Sequence, residues 1–286
     1  GSGRFVDATV QMGVGDGGFG TGVAAGDWDL DGDLDIFVAN YLDCRSDPDR
    51  ACFRQDSVRV YCAPWTYAYE PDVFYRNDGD HFAEIGAEVG LVPDRARELG
   101  AVFTDYDLDG DADLYVAGDG TPNLLYHNEG GGFFADRTTA AKLGRPSLAY
   151  LAWGTAFFDW DLDGDEDLFV ANGHMDDNVE LFEETTYAQR NQMFRNDGVE
   201  GFAEVDAGLW AQQSSRGTAV GDYDDDGDLD VAVVHINARA SLMRNDADGH
   251  WLAIRLAGGL DGVGARVSVR TGDRVQVREA RCSALP

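Results

Sequence analysis

Positive charge is scarce in this chain. Its 286 residues hold 22 Lys+Arg against 53 Asp+Glu, a formal net charge of −31, and Lys142 is the one lysine. A field this negative repels phosphate backbones and anionic headgroups, which excludes nucleic acid and lipid surfaces as partners. Long apolar runs are also missing: no stretch approaches the ~20 residues that a membrane-spanning helix needs. Nor is there a GxSxG, an HExxH, a phosphate-binding P-loop or a dinucleotide fingerprint set between strand and helix, so the common hydrolase, zinc-protease and nucleotide chemistries find no foothold. What is plentiful points elsewhere. A 44% hydrophobic content with 15 Phe, 11 Tyr and 6 Trp argues against disorder, and 36 glycines predict a turn-rich, all-β chain.

The acids are placed unevenly. From residue 239 onward there are eight Arg against five Asp/Glu, so the excess lies upstream, where one phrase recurs. It reads Asp27-Trp-Asp-Leu-Asp-Gly-Asp-Leu-Asp35, then Asp105-Tyr-Asp-Leu-Asp-Gly-Asp-Ala-Asp113, Asp159-Trp-Asp-Leu-Asp-Gly-Asp-Glu-Asp167 and Asp222-Tyr-Asp-Asp-Asp-Gly-Asp-Leu-Asp230. The copies start 78, 54 and 63 residues apart, an internal repeat with variable insertions.

A merely solvated acidic run has no reason to keep Asp at positions 1, 3, 5, 7 and 9 with Gly at position 6. A hard cation gives one, because Ca²⁺ takes six to eight oxygens from a tight loop. Carboxylates are expected from positions 1, 3, 5 and 9: Asp27, Asp29, Asp31 and Asp35; Asp105, Asp107, Asp109 and Asp113; Asp159, Asp161, Asp163 and Asp167; Asp222, Asp224, Asp226 and Asp230. Asp33, Asp111, Asp165 and Asp228 would contribute backbone carbonyls. Mg²⁺ fits less well, since it demands octahedral geometry and keeps its waters. An EF-hand needs Glu at position 12, where this chain has Val38, Val116, Val170 and Val233. About four structural Ca²⁺ ions are therefore expected, in loops that join strand to strand.

Around each loop the pattern is that of a sheet. A Gly-rich apolar segment precedes it (Gly22-Val-Ala-Ala, Gly100-Ala-Val-Phe, Gly154-Thr-Ala-Phe, Gly217-Thr-Ala-Val), suited to an innermost strand where sheets converge. A β-branched apolar strand follows it, and then a third strand ending in the hairpin signal at Asn77, Asn128, Asn196 or Asn245. Three repeats add a fourth strand beginning at Phe82, Phe134 or Phe202. Four strands per repeat describe a β-propeller blade.

These motifs resemble the FG-GAP/VCBS repeats of integrin-like propellers. The segments His250-Trp-Leu-Ala-Ile-Arg-Leu256 and Asp261-Gly-Val-Gly-Ala-Arg-Val-Ser-Val269 resemble the opening of the ASPIC/UnbV domain, found behind such propellers in bacterial relatives of cartilage acidic protein. The resemblance implies repeat blades over residues 1–245, with an insertion at 41–73, and an ASPIC/UnbV-like segment at 246–286; the count of strands, which falls short of the seven blades the family implies, has that segment complete the last blade. Strands are expected at 251–256, 264–270 and 274–279. Arg4-Phe-Val-Asp-Ala-Thr9 reads as a further strand, which beside the tail would close a ring of about five blades.

Of the four cysteines, Cys44, Cys52 and Cys62 lie in the insertion and Cys282 in the tail. The phrase Cys52-x₉-Cys62-x-Pro64 is similar to a segment of bacterial members of the family, and on that likeness Cys52 pairs with Cys62; buried free thiols are the alternative. Calcium loops and a disulfide both imply a secreted or periplasmic protein.

Function is expected on the face opposite the metal loops, where the second strands end at Asn40-Tyr41, Gly118-Asp119, Asn172-Gly-His174-Met-Asp176 and His235-Ile-Asn237. His174 and His235, from neighbouring repeats, are expected to approach one another; His81, His127 and His250 are read as structural. Two readings stay open. One is a calcium-stabilised module binding a protein, glycan or small molecule through Tyr41, Trp65, Tyr67, His174, His235 and Asn237. The other is a cofactor-independent cyclase, isomerase or bond-forming enzyme of natural-product biosynthesis, which would be cytoplasmic, using His174, His235, Tyr41 and Asp119 or Asp176 for proton transfer. Oligomeric state is not legible.

Overall fold

The computed structural model describes residues 4–54, 58–91, 97–181, 183–209, 211–254, 256, 265–272 and 274–279. Residues 4–8 form no strand and lead into a single helical turn, α1 (Thr9–Met12), which Gly13 ends in the left-handed conformation (φ 77°). Repeating sheets follow. The first runs β1 (Gly20–Gly26), β2 (Asp35–Asn40), then β5 and β6 after an excursion. In that excursion the insertion folds its own hairpin, β3 (Cys52–Arg54) with β4 (Val58–Val60), and a Cys52–Cys62 disulfide closes its base. β5 (Val73–Asn77) and β6 (Phe82–Glu84) complete the sheet in the order β1-β2-β5-β6.

The second sheet is β7 (Glu98–Thr104), β8 (Asp113–Gly118), β9 (Leu124–Asn128) and β10 (Phe134–Asp136). A helical turn, α2 (Gly144–Ser147), leads to the third: β11 (Ala152–Phe158), β12 (Asp167–Asn172), β13 (Gln192–Asn196) and β14 (Phe202–Val205). The fourth has three strands, β15 (Ser215–Gly221), β16 (Asp230–His235) and β17 (Ser241–Met243). A separate hairpin, β18 (Arg266–Thr271) with β19 (Arg274–Glu279), comes last. The chain is thus all-β, with four meander blades in a propeller-like arrangement.

The glycine-rich segments are the innermost strands, as their small side chains predict. β1 packs on β7, β7 on β11 and β11 on β15. A Cβ added to Gly100 would lie 2.2 Å from the Trp153 carbonyl oxygen, and one at Gly154 would lie 2.5 Å from that of Arg216. No side chain fits between backbones this close. Each of these four strands also carries an irregularity in its pairing near the glycine, as bulges do where a strand must bend.

The core lies between blades rather than within them. Phe37 and Phe74 of the first blade share a cluster with Phe103, Leu114 and Val116 of the second. Tyr115 and Leu125 of the second pack with Leu168, Val170 and Phe194 of the third. Phe169 and Met193 of the third meet Val231 and Val233 of the fourth. Alternation along each second strand sends one set of side chains to the preceding blade and the other to the following one.

Three expectations fail. The segment from Arg4 to Thr9 pairs with no strand, and its Phe5 and Val6 are exposed. Residues 251–254 and 256 are not a strand either, and β18 and β19 pair with each other instead of extending the fourth sheet. Among the described residues the ring is therefore four blades with open ends, not five closed by their termini. Apolar residues at those positions suit a strand, but among the described residues no sheet edge pairs with them. Cys282 and residues 257–264 lie outside the described residues.

Candidate metal centre

In each acidic loop position 4 takes a left-handed backbone (Leu30 φ 61°, Leu108 60°, Leu162 59°, Asp225 60°), as does the glycine at position 6 (φ 96–100°). A non-glycine residue there costs about 1–2 kcal/mol, so the loop is wound against local preference. Its carboxylates hold it. Asp27 accepts the N–H groups of Asp31 and Gly32 (both 3.1 Å), and Asp222 those of Asp226 (3.2 Å) and Gly227 (3.0 Å).

Position 9 is the most deeply set. Asp35, Asp113, Asp167 and Asp230 are buried, and each uses both oxygens. One oxygen accepts the position-2 N–H of its own loop (Trp28 3.1 Å, Tyr106 3.3 Å, Trp160 2.9 Å, Tyr223 3.0 Å). The other accepts, at 2.8 Å in every case, the N–H of the asparagine that ends the third strand: Asn77, Asn128, Asn196 or Asn245. The amides of three of those asparagines reach across to the previous blade. Asn128 donates to the Trp28 carbonyl (2.7 Å), Asn196 to that of Tyr106 (2.7 Å) and Asn245 to that of Trp160 (2.8 Å).

This scaffolding gathers carboxylates. Oxygens of Asp27, Asp29 and Asp35 lie within 4.8 Å of one another, as do those of Asp159, Asp161 and Asp167, and of Asp222, Asp224 and Asp230. The second loop gathers Asp105, Asp107 and Asp109, and also Asp107, Asp113 and His127. Burial pushes Asp35, Asp113 and Asp167 up to about 7, and Asp105 up to about 6. Such groups call for a proton or a cation. Oδ1 of Asp159 and Oδ1 of Asp228 are buried without a hydrogen-bond donor. Carboxylate clusters of this kind, the third with an unpartnered oxygen on Asp159, fit a hard cation, and they could hold metal ions. Asp31, Asp109, Asp163 and Asp226, at position 5, each accept the N–H of position 7 (2.9–3.4 Å). Asp33, Asp111, Asp165 and Asp228 supply those N–H groups.

His127, expected as a structural residue of its hairpin, stands beside the second cluster. Its Nδ1 lies 3.1 Å from Asp113 and 3.4 Å from Asp107, and the hydrogen bond to Asp113 pushes it up to about 9. The sequence held one signal of this: the other repeats place Arg76, Arg195 and Arg244 at that position. In the sequence the cross-blade asparagines show only as turn residues.

The basic tail lies over this acidic face. Arg266 donates to the Gly110 carbonyl, while Gln276 (3.2 Å) and Arg278 (2.8 Å) donate to that of Gly164.

On the opposite face the structure joins Tyr41 to Asp119, both buried, with the phenol donating to the carboxylate. Burial, reinforced by Asp119, drives the Tyr41 phenol far above its ordinary range, so it stays protonated. Asp119 is raised by burial, against the pull of Tyr41 and then His174 and Arg97. Nδ1 of His174 accepts the Asp176 N–H (3.0 Å). The expected approach of His174 and His235 is not what holds either ring. His235 sits between the hydroxyls of Ser215 (3.1 Å) and Ser241 (2.8 Å) of its own blade, and burial lowers it. Trp65 is exposed, Tyr67 half-buried beneath the Arg50 guanidinium (5.1 Å), and Asn237 exposed in a left-handed turn (φ 55°). A cleft at the third blade is lined by Arg190, Asn191, Glu204 and Leu209 among others, and none of Tyr41, Asp119, His174 and His235 lines it.

A repeated four-stranded blade with an acidic loop after its first strand defines a propeller-type repeat protein. Residues 105–170, the second acidic loop through the second strand of the third blade, match the FG-GAP-like repeat family. No curated protein matches the chain. Among the described residues no helix is long and apolar enough to cross a membrane.

Proposed function

We propose that the chain is a calcium-braced propeller module, working in an oxidising compartment, whose strand-end face recognises a protein or glycan. The observation that carries the calcium reading is the convergence of carboxylates to within 4.8 Å in all four loops, positions 1, 3 and 9 in three of them and positions 1, 3 and 5 in the second. About four Ca²⁺ ions would sit there, bound by Asp27, Asp29 and Asp35 and their counterparts, with position 5 and the position-7 carbonyl completing the shell. His127 would stand beside the second. Each ion present at a hundredfold its dissociation constant stabilises the fold by about 2.7 kcal/mol. Four such sites rival the roughly 5–15 kcal/mol of a typical domain.

The recognition reading rests on the insertion. Its disulfide-closed hairpin and the turn after it leave Phe53, Tyr61 and Trp65 exposed, and aromatics on a braced loop suit a binding surface. The enzymatic reading has no such support. Tyr41 and Asp119 are spent on each other in the interior, and His235 is pinned by two serines.

Calorimetry with a binding arm tests both parts. Chelation by EGTA should lower the melting temperature by roughly 10 °C or more, with calcium restoring it and magnesium failing to. An unchanged melt refutes the brace. On glycan and protein arrays Trp65→Ala should lose the parent's ligands without altering the melt; full retention refutes the recognition surface.

A further inference from the structure

After the fourth blade the chain turns back over the acidic loops. Ala247 donates its N–H to the Asp228 carboxylate of the fourth loop (2.7 Å), and the Trp251 ring covers Gly227, leaving no room there for a Cβ. Gly249 packs on Leu162 of the third loop, which would lie 2.7 Å from a Cβ added at that glycine. The hairpin β18–β19 then reaches two loops with cations. Arg266 donates to the Gly110 carbonyl of the second loop; Arg278 donates to the Gly164 carbonyl of the third (2.8 Å), with Gln276 beside it (3.2 Å). Arg278 also lies 3.9 Å from Glu166, two residues beyond that glycine. The first loop differs: a Cβ on Gly32 would meet nothing within 4 Å.

The hairpin is suited to this seat. It holds Arg266, Arg270, Arg274 and Arg278 against Asp273 and Glu279, in a chain whose net charge is −31. Its register sets Val267 opposite Arg278 and Val269 opposite Gln276, so these four share one face, and all four are half-buried. Neither strand pairs with a third, and a hairpin of two strands is marginal in water without a surface to pack on. Its order therefore depends on the loops beneath it.

We propose that β18–β19 is a calcium-released strap, held on the second and third loops by their negative charge and loosened as those loops fill. The inference rests on the calcium reading of the loops. Strap and ion compete without sharing an atom: the guanidinium groups take the position-6 carbonyls, and an ion takes the carboxylates and the position-7 carbonyl. Both answer the same local charge. A guanidinium about 8 Å from a divalent ion, in water-like surroundings partly screened by salt, weakens its binding roughly threefold. Linkage makes the effect mutual, so each ion weakens the strap by the same factor. Release melts the hairpin and bares the acidic face. The first loop, which no arginine of the strap touches among the described residues, fills independently.

Calcium titration by calorimetry on the full chain, beside a variant carrying both Arg266→Ala and Arg278→Ala, tests this. The double variant should bind calcium more tightly at two sites, by roughly threefold each, with the gain shrinking in about 0.5 M salt. Arg270→Ala, exposed on the same hairpin and in none of these contacts, should bind as the parent does. Hydrogen exchange on the parent gives a second reading: on adding calcium, amides of residues 266–279 should exchange severalfold faster while those of β8, beside the second loop, slow. A parent that takes up no calcium overturns the brace and the strap together. A parent that binds calcium while the double variant binds equally or more weakly overturns the strap alone, as does a hairpin whose exchange slows or stays the same.

Discussion

The two faces of the arc are built on opposite plans. On the acidic face four loops repeat the same bonds with the same partners: position 9 to position 2, and position 9 to the hairpin asparagine. On the other face the repetition stops at the strand ends. Asn40, Gly118 and Asn172 each give their N–H to the residue before the third strand (Asp72 2.8 Å, Asn123 2.9 Å, Asn191 3.1 Å), and beyond them Tyr41, Asp119, His174 and His235 differ in kind and in partner. A repeated unit answers a requirement that every blade shares, which is to hold a tight loop and its neighbour. An unrepeated one answers a local requirement. The contrast teaches that the chain's most conspicuous sequence feature belongs to its architecture, and that recognition must be sought where the repeats diverge.

The largest expected difference between the faces is in their response to pH. In the ion-free protein Asp35, Asp113 and Asp167 titrate at about 7, against 3.8 for an ordinary aspartate. The folded state therefore binds more protons than the unfolded one between those values. Stability from these groups is complete at low pH and is lost as pH rises through about 7. With EGTA present, the melting temperature should fall by roughly 10 °C or more between about pH 5 and pH 8. Saturating calcium, which displaces the protons, should reverse that slope; parallel slopes would break the assignment of these groups to the acidic face.

A smaller effect separates positions within one loop. Asp35→Asn leaves one oxygen for two backbone N–H groups and sets an NH2 against the other, and should cost about 2–3 kcal/mol in calcium. Asp33→Asn, exposed at position 7, should cost under about 0.5 kcal/mol. Denaturant midpoints measure both, and equal costs would erase the distinction. Smallest is Tyr41→Phe on the opposite face, which leaves the buried Asp119 without its donor. About 1–2 kcal/mol is expected, with calcium affinity by isothermal titration unchanged; altered affinity would mean the two faces are coupled.

Much of this was legible in the residues. Apolar strands bounded by Asn-Asp-Gly signals located the strands of the first three blades, and Gly22, Gly100 and Gly154 announced the crowded interior. The Cys52–Cys62 pairing follows the family likeness and is present. What escaped reading depends on which neighbour a strand meets. Residues 251–256 and Arg4-Phe-Val-Asp-Ala-Thr9 have strand composition, yet pairing needs an open edge that composition does not display. His127 looked like its turn-forming neighbours because its partners, Asp107 and Asp113, are brought to it only by folding. For Asn128, Asn196 and Asn245 the turn role is local and visible in the sequence, while their reach across blades is not.

That reach has a consequence for how the loops would fill. Each asparagine fixes its own blade's position-9 carboxylate through its N–H and the preceding loop's carbonyl through its amide. Ordering one loop thus lowers the entropic cost of ordering the next, and the four sites are wired in series. Ions taken up by such an array would bind with positive cooperativity running along the arc, with the second and third loops, tied on both sides, setting the threshold for the rest.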